Sequence, residues 1–264
     1  VGVFAYNNTT GPFNIKLDHV NVTDFQKNGL ALNGNNNLTV DLDYVNVVGQ
    51  GATTVTAQNG IQVMGATGTI DNCNVSDVYW IDPDPNVGEP WVAAAILLCE
   101  DENIVVSSCT VSNSQVGIYS YDSNGVTITN NSVSGTDEAI IAHGTGFVIN
   151  GNTLTDNLIH VANYTSDLDV NTLVPTVNTY LPTYMIVDQI IYGNAALLYV
   201  DVPDEVIPNS FQQTYSVKAS YIEDLRAFTL TLKIPRADFV QPVHTGANID
   251  FALGSAYDQY TFKM

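Results

Sequence analysis

The sequence predicts an all-β protein: a parallel β-helix of about six coils over residues 1–167, followed by a small antiparallel β-sandwich over 168–264. Three observations predict it. An eight-residue pattern recurs six times before residue 165. Each copy is followed by a second short apolar alternation. Beyond Asp167 the rhythm stops, and strand-length runs divided by turn residues take its place.

The pattern is clearest in Ile104–Val111, Val126–Val133 and Phe147–Leu154, whose starts lie 22 and then 21 residues apart. Earlier copies with longer connections are Ile15–Val22, Val40–Val47 and Gly68–Val75. Self-similarity at a period of roughly 20 to 50 residues marks a solenoid, in which each unit buries its apolar face only against its neighbours. Every copy has apolar or small residues at positions one and three, a polar break, then inward residues at six and eight. Alternation of period two means strands, and a break between two such pieces means a corner. The second strand signals are Gly29–Leu32, Gly60–Val63, Ala95–Leu98, Gly117–Ser120, Ala139–Ala142 and Leu158–Val161. Three short strands per coil and no helix give a stack with a layer spacing of about 4.8 Å.

Position six reads Val20, Val45, Cys73, Cys109, Asn131, Asn152 down the stack. Stacked inward asparagines can satisfy one another's amides and the backbone of the corner. For Cys73 and Cys109 two states stay open, buried free thiols that pack as small hydrophobes and a bridge between coils. Two coils carry insertions, 48–59 and 76–91, and solenoid insertions project from one face as binding surfaces. After Asp167, a Pro- and Thr-bearing connection leads to strand signals at 184–191, 195–202, 213–221, 227–234, 249–253 and 259–264. Strands at that spacing suggest a sandwich.

Composition narrows the partners. Seven basic against 27 acidic residues give a net charge of -20, and no Lys or Arg lies between Lys27 and Lys218. Nucleic acid and anionic membrane surfaces, which demand basic side chains, are excluded as partners. Calcium, which prefers hard oxygen ligands, is the cation this charge suits. No run of about 18 apolar residues is present to span a bilayer. Three cysteines in a chain this long are not a disulfide scaffold. A surface rich in Asn, Thr and Ser and poor in Lys, on a chain starting at Val1, fits a mature extracellular or cell-surface product. Sequons at Asn7, Asn8, Asn21, Asn37, Asn74, Asn130 and Asn163 would permit glycans there.

The candidate sites are acidic and aromatic. Position four places Asp18, Asp43 and Asp71 on three successive coils, with Asp41 beside them. Like charges about 5 Å apart need solvation, an ion partner or a metal, and the same spacing suits the two carboxyls of a retaining glycosidase. Asp41, Asp43 and Asp71 are therefore candidate calcium ligands, with Lys16 a competing partner for Asp41. The 76–91 insertion adds Asp82 and Asp84, spaced to share a calcium ion, and Tyr79, Trp80, Glu89 and Trp91, which suit a partner or a sugar face. Tyr260 and Phe262 lie on a terminal alternating strand that could pair with another subunit. An outward column, Tyr119, Ile141 and His160, with Tyr121 and His143 following it, suits core or corner packing first and a shallow groove second.

On the repeat pattern from Phe13 to Asp167, the chain resembles the right-handed parallel β-helix superfamily of the pectin-lyase-like fold. That resemblance implies extracellular proteins ranging from polysaccharide lyases and polygalacturonases to tailspikes and surface proteins. The lyases' arginine base has no counterpart here, because the repeat region contains no arginine. Ala142-His143-Gly144 is similar to one polygalacturonase motif, but the accompanying Asp-Asp pair and Arg-x-Lys are absent. With those signatures missing, the expected role is a non-catalytic, self-assembling surface protein: a filament, sheath, surface-layer or fibre subunit. The alternative is a secreted polysaccharide-active enzyme or glycan-binding module, including a tailspike-like protein.

Overall fold

The computed structural model describes residues 1–83, 91–165, 167–173, 178–181, 185–187 and 189–193, together with strands at 197–201, 216–220, 229–235, 248–253 and 257–263. The chain divides into two compact units, Val1–Leu197 and Leu198–Met264.

The first unit winds as a parallel β-helix with three faces. Turn one contains β1 (Val3–Tyr6), β2 (Phe13–Asp18) and β3 (Asn21–Val22). Turn two follows with β4 (Asn28–Asp43) and β5 (Asn46–Thr53), and turn three with β6 (Asn59–Asp71) and β7 (Asn74–Trp80). β4 and β6 each run through a corner and serve two faces. Turns four to six use β8 (Ala94–Cys99), β9 (Ile104–Ser107) and β10 (Thr110–Ser112); β11 (Val116–Asn124), β12 (Thr127–Thr129) and β13 (Ser132–Ser134); and β14 (Glu138–Thr145), β15 (Val148–Asn150) and β16 (Thr153–Thr155). A seventh turn begins with β17 (Ile159–Asn163). It passes through α1 (Val170–Leu173), which buries Val170 and Leu173, and reaches β18 (Thr179–Leu181).

The predicted six copies supply the first face (β2, the second halves of β4 and β6, β9, β12, β15) and the second (β3, β5, β7, β10, β13, β16). β18 adds a seventh strand to the second face, pairing in parallel with β16. Inward side chains stack in files. Leu42, Ile70, Val106, Ile128 and Ile149 pair rung to rung on the first face. Val22, Val47, Val75, Val111, Val133 and Leu154 do so on the second. Leu30, Ile61, Ile96, Ile118, Ile140 and Val161 form the third file, with each side chain fully buried. Burying one such side chain is worth about 1.5–3 kcal/mol, so the repeated files are the main stabilising element.

The polar break at position five is the corner itself. His19, Tyr44, Asn72, Ser108 and Asn130 all have positive φ, from 50° to 57°, and Gly151 closes the series at 64°. One left-handed residue between two extended stretches redirects the chain from the first face to the second.

One strand signal is read differently in three dimensions. The run 184–191 is not a single strand but contains β19 (Met185–Val187) and part of β20 (Ile190–Tyr192), an antiparallel pair whose second member lies against β17. α1, β18, β19 and β20 belong with the coil, past the 167/168 division drawn from the sequence.

Beyond the coil, β21 (Leu197–Asp201) pairs with β22 (Ser216–Ser220). β23 (Thr229–Pro235), β24 (Asn248–Leu253) and β25 (Tyr257–Lys263) form an antiparallel sheet with β25 in the middle. Tyr260 pairs with Leu232 on one side and Phe251 on the other, and Phe262 with Leu230 and Ile249. The backbone of β25 is thus paired on both sides within its own sheet.

Candidate functional site

The acidic file stands where the repeat places it. Asp18 pairs with Asp43 and Asp43 with Asp71 on neighbouring rungs of the first face. Its charges are already engaged by the protein. Asp18 contacts the ring of its neighbour His19. Asn72 Nδ2 donates to Asp43 at 3.0 Å and to Asp71 at 3.1 Å, and Ser107 Oγ donates to Asp71 at 2.8 Å. Asp41, one rung from Lys16, forms an ion pair with it at 2.6 Å. Among the described residues no three carboxylate, imidazole or thiol groups converge as a metal site would require.

The 76–91 insertion separates its aromatics. Trp80 turns inward and joins the hydrophobic core, which removes it from any surface contact, whereas Trp91 is 62% exposed. The difference is one of register: Trp80 continues the inward alternation of β7 through Val78. Tyr79, facing the other way, donates its hydroxyl to Asp137 at 2.7 Å, and burial followed by this contact pushes its pKa up to about 12. Asp82 is half-buried. Asp84 and Glu89 lie outside the described residues.

Polar ladders line the corners. Asn131 Nδ2 donates to Val106 O and to Asn152 Oδ1, each at 3.0 Å; Asn152 Nδ2 donates to Ile128 O at 2.9 Å and to Asn178 Oδ1 at 3.2 Å. Asn178 thus continues position six one rung beyond the sequence repeat. Cys73 and Cys109 precede these asparagines as buried free thiols. The neighbouring Cys73 thiol, then burial, raises the pKa of the Cys109 thiol. Another corner holds Asp101, which is fully buried. Its oxygens accept the Ala66 N–H at 2.8 Å and the Cys99 N–H at 3.0 Å, and burial pushes its pKa up to about 7.

A concave feature lies elsewhere, on the outer side of the third face. An open cleft of about 310 Å³ is lined by Val92, Tyr119, Glu138, Ile141, His143 and Tyr164. Register builds it. Tyr119 pairs with Ile141, and Ile141 with Ala162, on successive rungs. One step along, Tyr121 stacks on His143 with ring centroids 5.0 Å apart and planes 11° from parallel. Tyr164 follows on the next rung, its N–H donating to Ala142 O at 2.8 Å. Beneath these rings Ala94, Val116, Ile141 and Ala162 form a buried apolar patch. His143 Nδ1 accepts the Asp122 N–H at 3.2 Å, which leaves Nε2 to carry the proton in the neutral ring. Glu138 is half-buried, and burial, then repulsion from Asp137, raises its pKa.

A family described as a right-handed β-helix region matches residues 1–173, more than half of the chain. The chain belongs to the right-handed β-helix family. No curated protein matches it. Domains of this family suit surface or polysaccharide-associated proteins in general.

Within this right-handed β-helix, the groove anticipated from Tyr119, Ile141, Tyr121 and His143 forms, with one exchange. Ile141 pairs with Ala162, two residues beyond His160, and the His160 ring is fully buried instead of lining the groove. Glu138 and Tyr164, which the repeat did not flag, complete the cleft. Tyr164 continues the alternation of Ala162, the partner of Ile141, whereas Glu138 opens β14 just ahead of the marked segment and off that alternation. Gly144, in the motif-like Ala142-His143-Gly144, has a backbone role: its φ is +142° and an added Cβ would stand 1.8 Å from Ser123 O.

Proposed function

We propose that this chain is a non-catalytic saccharide-binding β-helix of the cell surface or extracellular space, with the third-face cleft as its binding site. The observation that carries this reading is the aromatic strip Tyr121, His143 and Tyr164 on consecutive rungs beside Tyr119, flanked by the polar groups of Glu138 and His143. Tyrosine faces give a sugar ring apolar stacking, and a few polar groups at the rim fix its orientation. Rungs at a layer spacing of about 4.8 Å repeat the platform along the helix axis, as an extended chain of sugar units requires. Hydrolysis by paired carboxyls needs two of them facing one bond, about 5–9.5 Å apart. The cleft lining offers one, Glu138, so binding is the favoured activity. A glycan array probed with the whole chain tests it. Tyr164→Ala, at a side chain 60% exposed, is expected to weaken the leading hits at least about tenfold, as loss of one stacking ring does. No saccharide binding, or binding indifferent to this change, sinks the reading.

Self-assembly has one remaining support. Among the described residues β1, β2 and β3 each pair on one side only, and Phe4, Tyr6 and Phe13 are 64%, 61% and 46% exposed. Light scattering and electron microscopy of the wild type against a Phe4→Ser, Tyr6→Ser variant check it, since a shared edge of this kind would lose its oligomer.

A further inference from the structure

If the cleft binds saccharide as proposed above, its charge identifies the class. Glu138 stands in the lining, half-buried on the rung of β14, and Asp137 precedes it. Among the described residues no Lys or Arg pairs with Glu138: Lys16 pairs with Asp41, and the rings of His19 and His143 lie beside Asp18 and Asp122. No Lys or Arg is present from residue 28 to residue 217. The imidazole in the cleft faces Asp122, with Nδ1 and Oδ1 at 3.7 Å. Partly desolvated carboxylates are ordinarily paired, so this one lacks the partner its environment calls for. The walls beside it, Tyr119 and Tyr164, present π faces that attract a cation. A uronate would meet the like charge of the Glu138 carboxylate there.

We propose that the cleft selects saccharides bearing a protonated amine, with the ammonium seated between the Glu138 carboxylate and the rings of Tyr119 and Tyr164, and that it rejects uronic-acid chains. The same ammonium chemistry is carried by lysine side chains, but the row of stacked rings at sugar-chain height favours the saccharide, and a peptide becomes an arm of the test.

The experiment is calorimetric titration of the whole chain, at low salt and at a slightly acid pH that keeps the amine charged. The probes are glucosamine oligomers, the same oligomers fully N-acetylated, galacturonate oligomers and oligolysine. The proteins are the wild type, Glu138→Gln and Tyr164→Ala, each checked for unchanged circular dichroism. The deacetylated oligomer is expected to bind about tenfold tighter than the acetylated one, a preference within reach of one partly buried ion pair. In Glu138→Gln that ratio falls to near one, and galacturonate gives no binding to any form. Equal affinity for galacturonate, a ratio that Glu138→Gln leaves intact, or oligolysine binding as tightly as the amino sugar overturns the amine assignment while leaving a saccharide cleft in place. Failure of every saccharide to bind overturns the cleft reading, and this inference falls with it.

Discussion

Removing the amide of Asn152 tests whether the corner ladder, rather than the apolar files alone, holds the lower turns together. Asn152 is fully buried. Its Oδ1 accepts the Asn131 N–H at 2.9 Å and the Asn131 Nδ2 at 3.0 Å, while its Nδ2 donates to Ile128 O at 2.9 Å. Asn152→Ala deprives two buried backbone groups of their partners, the Asn131 N–H and the Ile128 carbonyl. Each unsatisfied buried group costs about 1–3 kcal/mol, so a loss of about 3–5 kcal/mol is expected, a large share of a typical domain's stability of about 5–15 kcal/mol. Urea unfolding followed by far-ultraviolet circular dichroism measures it as a fall in midpoint at constant m value. The control is Asn150→Ala, two residues away on the half-buried outer side, where Asn150 accepts the Thr129 hydroxyl. That change is expected to cost less than about 1 kcal/mol. Equal losses for the two variants would refute the ladder argument.

Three further outcomes are expected. Because the folded-state pKa of Asp101, about 7, lies above its ordinary value of 3.8, the folded state holds the extra proton between them. Its stabilising contribution is complete below the lower value and is lost as pH rises through the upper. Asp101→Asn should therefore flatten the fall in stability between those limits. His160, pushed down to about 4 by burial, works in the opposite sense, losing stability as pH falls from 6.5, so the wild-type-minus-variant difference isolates Asp101. At low ionic strength, Asp43→Asn should raise Tm slightly, by the equivalent of about 0.5 kcal/mol, because it removes like-charge contacts with Asp18 and Asp71, and the gain should fade in salt. A calcium-dependent rise in the wild-type Tm that this variant lacks would instead place a cation on the file. Gly144→Ala should cost at least about 2 kcal/mol in chemical denaturation, since neither its φ nor the Ser123 carbonyl leaves room for a methyl group.

Much of the coil was legible because a solenoid repeats its own constraints. Position eight is Val or Leu in all six copies, the break always follows position four, and the structure adds only the reason, a left-handed residue at every corner. The cleft was half legible. Tyr119, Tyr121, Ile141 and His143 fall on an outward alternation that can be counted, but its edges depend on how far each strand runs past its copy. His160 shows the hazard of such counting: the true register sits two residues away from the counted one, and the ring is buried.

What the sequence by itself determined is the winding: period, alternation and corner placement are local properties, and each turn meets a near copy of itself. What only the tertiary structure decided is where polar and aromatic groups end up once the turns are stacked. Asp101 reads as one of three consecutive acids, yet two backbone N–H groups take it into a corner. Trp80 and Trp91 read alike, yet strand parity buries one and exposes the other. β25 reads as a terminal strand, yet it sits between two partners. In each case the deciding quantity is a neighbour distant in sequence, which fixes the solvation and hydrogen bonding of the group and which no local pattern encodes.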